Sequence, residues 1–219
     1  MATILITGAQ SGLGLALAKV YTQRGDNVIA LCRQKSPELE ETGAEMFDGV
    51  DIRDDTDVSG AAKKIGQRSV DVLINNAGIL IDDDIGSLQL INIREQFEVN
   101  ALGPLKIVLA FRERLRRGSF LINVSSRMGS IGDNGSGRDY GYRMSKAAQN
   151  MLTCTLARDL LREGVIVTAI HPGIVATKMT DHSGALPDEV ANDMKNVVDK
   201  LTISDSGKFL DRYGAEIPW

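Results

Sequence analysis

Thr3-Ile4-Leu5-Ile6-Thr7-Gly8-Ala9-Gln10-Ser11-Gly12-Leu13-Gly14, running on to Asn27-Val28-Ile29-Ala30-Leu31, decides how the rest of the chain is read. Ile4-Leu5-Ile6 is an unbroken apolar run of the kind a strand carries when both its faces are covered. Gly8, Gly12 and Gly14 follow, and then Leu13, Leu17, Val20 and Tyr21 fall at helical spacing. Gly25 is placed to end that helix, and residues 28–31 make a second apolar strand. Strand, glycine turn, helix and strand within about thirty residues form a β-α-β unit.

The same alternation continues outward. Residues 44–50 predict a weak strand ending at Asp51, and Val58, Ala61, Ala62 and Ile65 mark the buried face of a helix. Val70-Asp71-Val72-Leu73-Ile74 predicts a strand that ends in Asn75-Asn76-Ala77-Gly78, followed by a loop over 79–91 whose Asp82-Asp83-Asp84 reads as solvated surface. A helix is expected over 92–115, opened by the Asn92/Glu95 capping pair and bent or broken at Gly103-Pro104. Strands at 120–124 and 165–170 flank a glycine-rich loop (129–141) and a helix (142–162). A loop (174–186), a helix (187–201) and a short strand (208–210) complete the pattern. Strands alternating with helices imply an α/β fold: a single domain, residues 1–219, built on a doubly wound parallel sheet with helices on both faces.

Composition restricts function. Hydrophobic residues make up 43% and charged residues 25%, with a formal net charge of −4 and a pI near 5.3. No basic run gives a nucleic-acid footprint; Arg112-Glu113-Arg114-Leu115-Arg116-Arg117 reads as a solvated helix end. Cys32 and Cys154 are too few for a disulfide framework or a zinc site, and they read as small buried residues. With no signal-peptide pattern and no apolar run of membrane-spanning length, the expectation is a cytoplasmic protein that binds neither membrane nor metal.

In such sheets ligands bind beyond the carboxyl ends of the strands. The first strand ends at Thr7-Gly8-x-x-x-Gly12-x-Gly14, where glycines admit a pyrophosphate to the helix N-terminus and Ser11 adds a hydroxyl. At the second strand end a carboxylate would bind the ribose 2′-OH of NAD, but this chain has Cys32 and Arg33 there. Arg33 is suited to a 2′-phosphate, so NADP(H) is expected in preference to NAD(H). Asp51 either accepts from an adenine amino group or simply opens a loop. Tyr142 and Lys146 stand four apart on the expected helix, so phenol and ammonium can share one face, and the cation would lower the phenol pKa.

Taken together, Thr7-Gly8-x-x-x-Gly12-x-Gly14, Asn75-Asn76-Ala77-Gly78, Ser126, Tyr142-x-x-x-Lys146 and Pro172-Gly173-x-x-x-Thr177 resemble the motif set of the short-chain dehydrogenase/reductase family. Ser125-Ser126-Arg127-Met128-Gly129-Ser130-Ile131 and the ending Glu216-Ile217-Pro218-Trp219 are more narrowly similar to the branch that holds sniffer carbonyl reductases and bacterial C-factor proteins. The resemblance implies a Rossmann fold with a substrate loop around 178–200. It implies Tyr142 as proton donor, Ser126 (with Ser125 the rival) on the substrate carbonyl, Lys146 on the nicotinamide ribose and the Tyr142 pKa, and Asn100 as relay support. The implied cofactor contacts are Gly8, Ser11, Gly12, Leu13, Gly14, Arg33, Asp51, Ile52, Asn76, Ala77, Gly78, Tyr142, Lys146, Pro172, Gly173, Ile174 and Thr177. The expected partners are a small carbonyl or alcohol substrate and further copies of the chain, as homodimer or homotetramer. The alternative is a dinucleotide-binding signalling protein of the C-factor type with incidental redox activity. An epimerase of the extended branch fits less well, because little chain follows Thr177.

Overall fold

The strand Thr3–Thr7 (β1) sends Ile4 and Ile6 into one buried cluster and Leu5 into a second. That is the two-residue period of a strand with both faces covered. Other strands divide in the same way: Val72 and Ile74 lie on one side with Leu73 on the other, and Ile122 and Val124 on one side with Leu121 on the other. The two cores are what make the sheet central.

The computed structural model describes residues Met1–Trp219. After β1 come α1 (Gly12–Gln23), β2 (Asn27–Leu31), α2 (Pro37–Glu40), β3 (Glu45–Phe47), α3 (Asp55–Ile65) and β4 (Val70–Asn75). Then follow α4 (Leu90–Phe97), α5 (Gly103–Phe111), β5 (Leu115–Val124), α6 (Tyr140–Asp159), β6 (Ile166–His171), α7 (Pro187–Val198) and β7 (Phe209–Asp211). The strands pair in parallel in the order β3-β2-β1-β4-β5-β6-β7. Strand order reverses between β1 and β4, so the crevice of a doubly wound sheet opens there. α1 and α7 pack together on one face, while α3, α5 and the far end of α6 bury the other. No helix is long and apolar enough to cross a membrane, and no three His, Cys, Asp or Glu side chains gather as around a metal ion.

Several local readings are corrected. The long helix expected over 92–115 begins at Leu90 behind Gln89, which makes no side-chain cap bond; Asn92 already lies in the first turn. The interruption falls earlier than Gly103-Pro104, as a π-turn at Glu98–Leu102, with Gly103 and Pro104 opening α5. Pro104 has no N–H to offer the carbonyl four residues back, that of Asn100, and the ladder shifts its pattern instead.

The basic run 112–117 is solvated only in part: Arg112, Arg116 and Arg117 are exposed, and Arg114 is the exception. Arg114 is buried and donates to the carbonyls of Ala62 (2.9 Å), Gly66 (2.7 Å) and Ala110, closing the C-terminal ends of α3 and α5. β5 accordingly starts at Leu115 and reaches its regular register past an irregularity opposite Val70 and Val72. Asp83 is also buried rather than solvated. Cys154 is only half-buried, whereas Cys32 is fully buried; both are free thiols.

Candidate active site

The crevice is built by stitching β4 to β1. The Thr7 hydroxyl accepts from the backbone N–H groups of Asn76 and Ala77, each at 3.0 Å, and Asn76 Nδ2 donates back to the carbonyls of Thr7 (3.0 Å) and Gly8 (3.3 Å). Such close backbone approach leaves no room for side chains: a Cβ on Gly8 would lie 2.9 Å from Ala77 Cα, and one on Gly14 only 2.2 Å from the Gly8 carbonyl oxygen. Gly8 and Gly12 also adopt φ of 67° and 55°, in the left-handed region. Ser11 sits at the N-cap of α1 without capping it, and the first turn holds no acidic residue. The opening N–H groups of α1 therefore face an open cleft of about 1140 Å³, a size suited to a dinucleotide.

Leu13, Arg33, Asp51, Ile52, Ala77 and Gly78 also line the cleft. Arg33 follows the buried Cys32 at the end of β2, with no carboxylate at that strand end. Asp51 is already engaged. Its carboxylate accepts from Arg53 Nε at 3.0 Å and from the second guanidinium arm at 2.6 Å, which holds its pKa below the usual carboxylate range. An adenine amino group would thus meet a carboxylate shared with Arg53, a cleft residue that the sequence reading passed over.

Pro172, Gly173, Ile174 and Thr177 form the opposite wall beyond β6. The Ile174 carbonyl is taken by the Ala185 N–H at 2.9 Å. Thr177 heads the short turn Lys178–Thr180, and its methyl group packs over Gly12. His171 belongs to the same wall, and burial pushes its pKa down to about 4, so it is a neutral imidazole.

Ser126, Tyr142 and Lys146 converge on the cleft from β5 and α6. The two serines separate cleanly: Ser125 Oγ is committed to Asn150 Oδ1 at 2.6 Å, whereas Ser126 caps the turn Arg127–Gly129 and faces Tyr142. Burial raises the Tyr142 phenol to about 12, and the Ser126 hydroxyl draws it partly back. This corrects the expectation that Lys146 lowers it. Lys146 Nζ lies 5.8 Å from the phenol ring centroid and is itself pushed down to about 7 by burial. Asn100 occupies the π-turn, with its amide tied to Ile79 N and O (2.9 and 2.8 Å) and to Ser145 Oγ (3.0 Å). A Cβ on Gly78 would fall 3.2 Å from Asn100 Oδ1 and 3.7 Å from Lys146 Nζ, so the two polar groups face each other across that glycine. Asn75 binds Asn123 across the sheet at 2.9 Å and does not reach the cleft.

The sequence reading missed what seats α6. The Asp83 carboxylate accepts from the N–H groups of Tyr140 (2.6 Å) and Gly141 (3.1 Å), the opening residues of α6. Arg138 and Asp139 just before it hold φ of 60° and 50°. Asp83→Ala removes this remote cap while the left-handed approach remains, and it should cost about 1–2 kcal/mol, read as a lowered urea midpoint at unchanged slope. Asp83→Asn, which keeps one acceptor oxygen, should lose less.

The family model described as short chain dehydrogenase matches residues 2–186. The 1-hydroxy-2-glutathionyl-2-methyl-3-butene dehydrogenase of Rhodococcus sp. (strain AD45) is 37% identical, with both chains covered in full. The C-signal protein of Myxococcus xanthus is 41% identical over 68% of this chain and 93% of its own. An NADPH-bound carbonyl reductase from chicken fatty liver superimposes with a TM-score of 0.91 at 29% identity, covering 100% of this chain and 99% of that one.

Proposed function

Because the chain belongs to the short chain dehydrogenase family, we propose that it is an NADP(H)-dependent carbonyl reductase. The observation that carries this reading is the convergence of Ser126, Tyr142 and Lys146 on one wall of a cleft whose far end is the glycine turn. Gly8, Gly12 and Gly14, with the opening of α1, would hold the pyrophosphate; Arg33 would hold a 2′-phosphate; Lys146 would hold the nicotinamide ribose.

When bound, the nicotinamide supplies a hydride to the carbonyl carbon, and everything else is the work of side chains. Negative charge builds on the substrate oxygen, where the hydroxyls of Ser126 and Tyr142 donate and Lys146 adds a nearby positive field. A phenol held at about 12 by burial is fully protonated at neutral pH. It is thus ready to give its proton to an alkoxide, a far stronger base. Recovery of the proton would run by way of Lys146, with Asn100 as a support for that relay beside Gly78 rather than a proton carrier.

The test is cofactor oxidation with NADPH and with NADH across aldehydes, ketones and quinones, with glutathione-conjugated alcohols run in the opposite direction. NADPH binding without turnover of any of these would refute the reading. Arg33→Ala should raise the KM for NADPH about tenfold or more, the loss of a charge-assisted contact, and leave that for NADH nearly unchanged. Equal changes for both cofactors would remove Arg33 from the 2′-phosphate site.

A signalling protein with incidental redox activity is the second reading, favoured by the C-signal relative. If Tyr142→Phe restored a deletion phenotype, that reading would replace the first. We also propose a homo-oligomer, since Leu102 and Leu109 on the helix around Pro104, and Met144 and Met151 on α6, leave apolar side chains exposed.

A further inference from the structure

Lys146 is only 4% exposed, and an ammonium has three N–H bonds to place and no acceptor of its own. Two of them are placed beneath the cleft, on the Val124 carbonyl at 2.8 Å and on Gln149 Oε1 at 2.9 Å. Gln149 is wholly buried one turn further along α6 and forms no part of the cleft wall. Its amide nitrogen has no hydrogen-bond partner in the protein. Burying half an amide unsatisfied is unfavourable, and an apolar side chain at this position would avoid it. The one polar contact the Gln149 side chain makes is with Lys146. Because Lys146 can only donate, that contact fixes which end of the amide faces it.

We propose that Gln149 is a positioning residue, whose amide oxygen holds the Lys146 ammonium charged and leaves its remaining N–H for the Tyr142 and cofactor side. An acceptor favours the charged form of an amine, so Gln149 opposes the burial that drives Lys146 toward neutrality. Other elements contribute no ion to this balance. β5 presents the Val124 carbonyl, the segment after β4 presents Gly78, the π-turn presents Asn100, and the turn after Ser126 presents the backbone of Gly129. Tyr142, on the same helix as Lys146, is the one other titrating group that faces the ammonium. With the ammonium at about 7, removal of a single acceptor falls in the range where activity is measured.

For turnover the inference rests on the carbonyl reductase reading; for Lys146 itself it does not. Cofactor-free protein carrying ¹³C-labelled lysine is titrated by NMR at Cε, with Lys146→Arg assigning the signal. Gln149→Leu should lower the Lys146 midpoint by about one unit, and Gln149→Glu, a carboxylate against the ammonium, should raise it by at least as much. Midpoints within a few tenths of the parent protein in both variants would overturn the proposal. Gln149→Met, unbranched and without an amide, takes the place of Gln149→Leu should the latter fail to fold. The alkaline limb of kcat/KM should move with the amine, about tenfold in rate per unit on that limb. A displaced amine with an unmoved limb in an active enzyme would also overturn it. Displaced amines in a protein that reduces no carbonyl support the proposal and sink only the reductase reading.

Discussion

Tyr142→Phe is expected to lower kcat for carbonyl reduction by about 10²- to 10⁴-fold, the range over which a positioned general acid contributes. The phenol is buried, at 8% exposure, and stands in the cleft wall with Ser126. Removal of one oxygen from a side chain in the first turn of α6 leaves the ring packing in place, so the fold and the glycine turn should be unaffected. NADPH affinity, followed by cofactor fluorescence, should stay within a few-fold of the parent. The residual rate should lose its dependence on a titrating acid, because Ser126 and Lys146 still stabilise charge but neither replaces the lost proton. Ser126→Ala should be less severe, since one of two donors to the oxygen survives. Unchanged kcat in Tyr142→Phe would reassign the acid altogether.

The parts of this arrangement that were legible in the sequence are those fixed locally or by strand ends. Apolar runs with intervening helical spacing gave the sheet, and the glycines and Asn-Ala-Gly segment marked its carboxyl edge, because close backbone approach there admits no other residue types. What stayed hidden depends on partners distant in the chain. Asp83 reads as one of three surface carboxylates until α6 arrives with the N–H groups of Tyr140, 57 residues later, and Gly141. Arg114 reads as part of a basic helix end until α3 presents the Ala62 carbonyl, 52 residues away in sequence. Gln149 reads as one polar residue on a mixed helix, and only its complete burial beside Lys146 sets it apart. The Tyr142–Lys146 spacing was visible, yet the direction of the phenol shift was not, because it is set by burial, with only the Ser126 hydroxyl drawing it back.

The glycine turn gives the second large effect. Gly14→Ala should lower stability by about 1–3 kcal/mol and weaken NADPH binding by tenfold or more. Within α1 the backbone of Gly14 suits alanine, and helix propensity alone would reward the change by up to about 1 kcal/mol. Space decides otherwise: the added Cβ would sit 2.2 Å from the Gly8 carbonyl oxygen and 2.5 Å from Asn76 Nδ2. The first neighbour is backbone. The second is an amide held by Thr7 and Gly8, so neither can swing aside without breaking the bonds that tie β4 to β1. The helix must lift instead, which would carry its N-terminal N–H groups away from the proposed pyrophosphate position. Gly60 is the control, a glycine inside α3 where an added Cβ would meet nothing within 4 Å. Gly60→Ala should therefore stabilise the protein by about 0.4–1 kcal/mol and leave cofactor binding alone. Thermal and urea melts of the two variants, with and without NADPH, separate the terms. Gly14→Ala as stable as Gly60→Ala, or binding NADPH as tightly, would show that the turn has slack, and the close packing of α1 on β1 would lose its role in holding the cofactor.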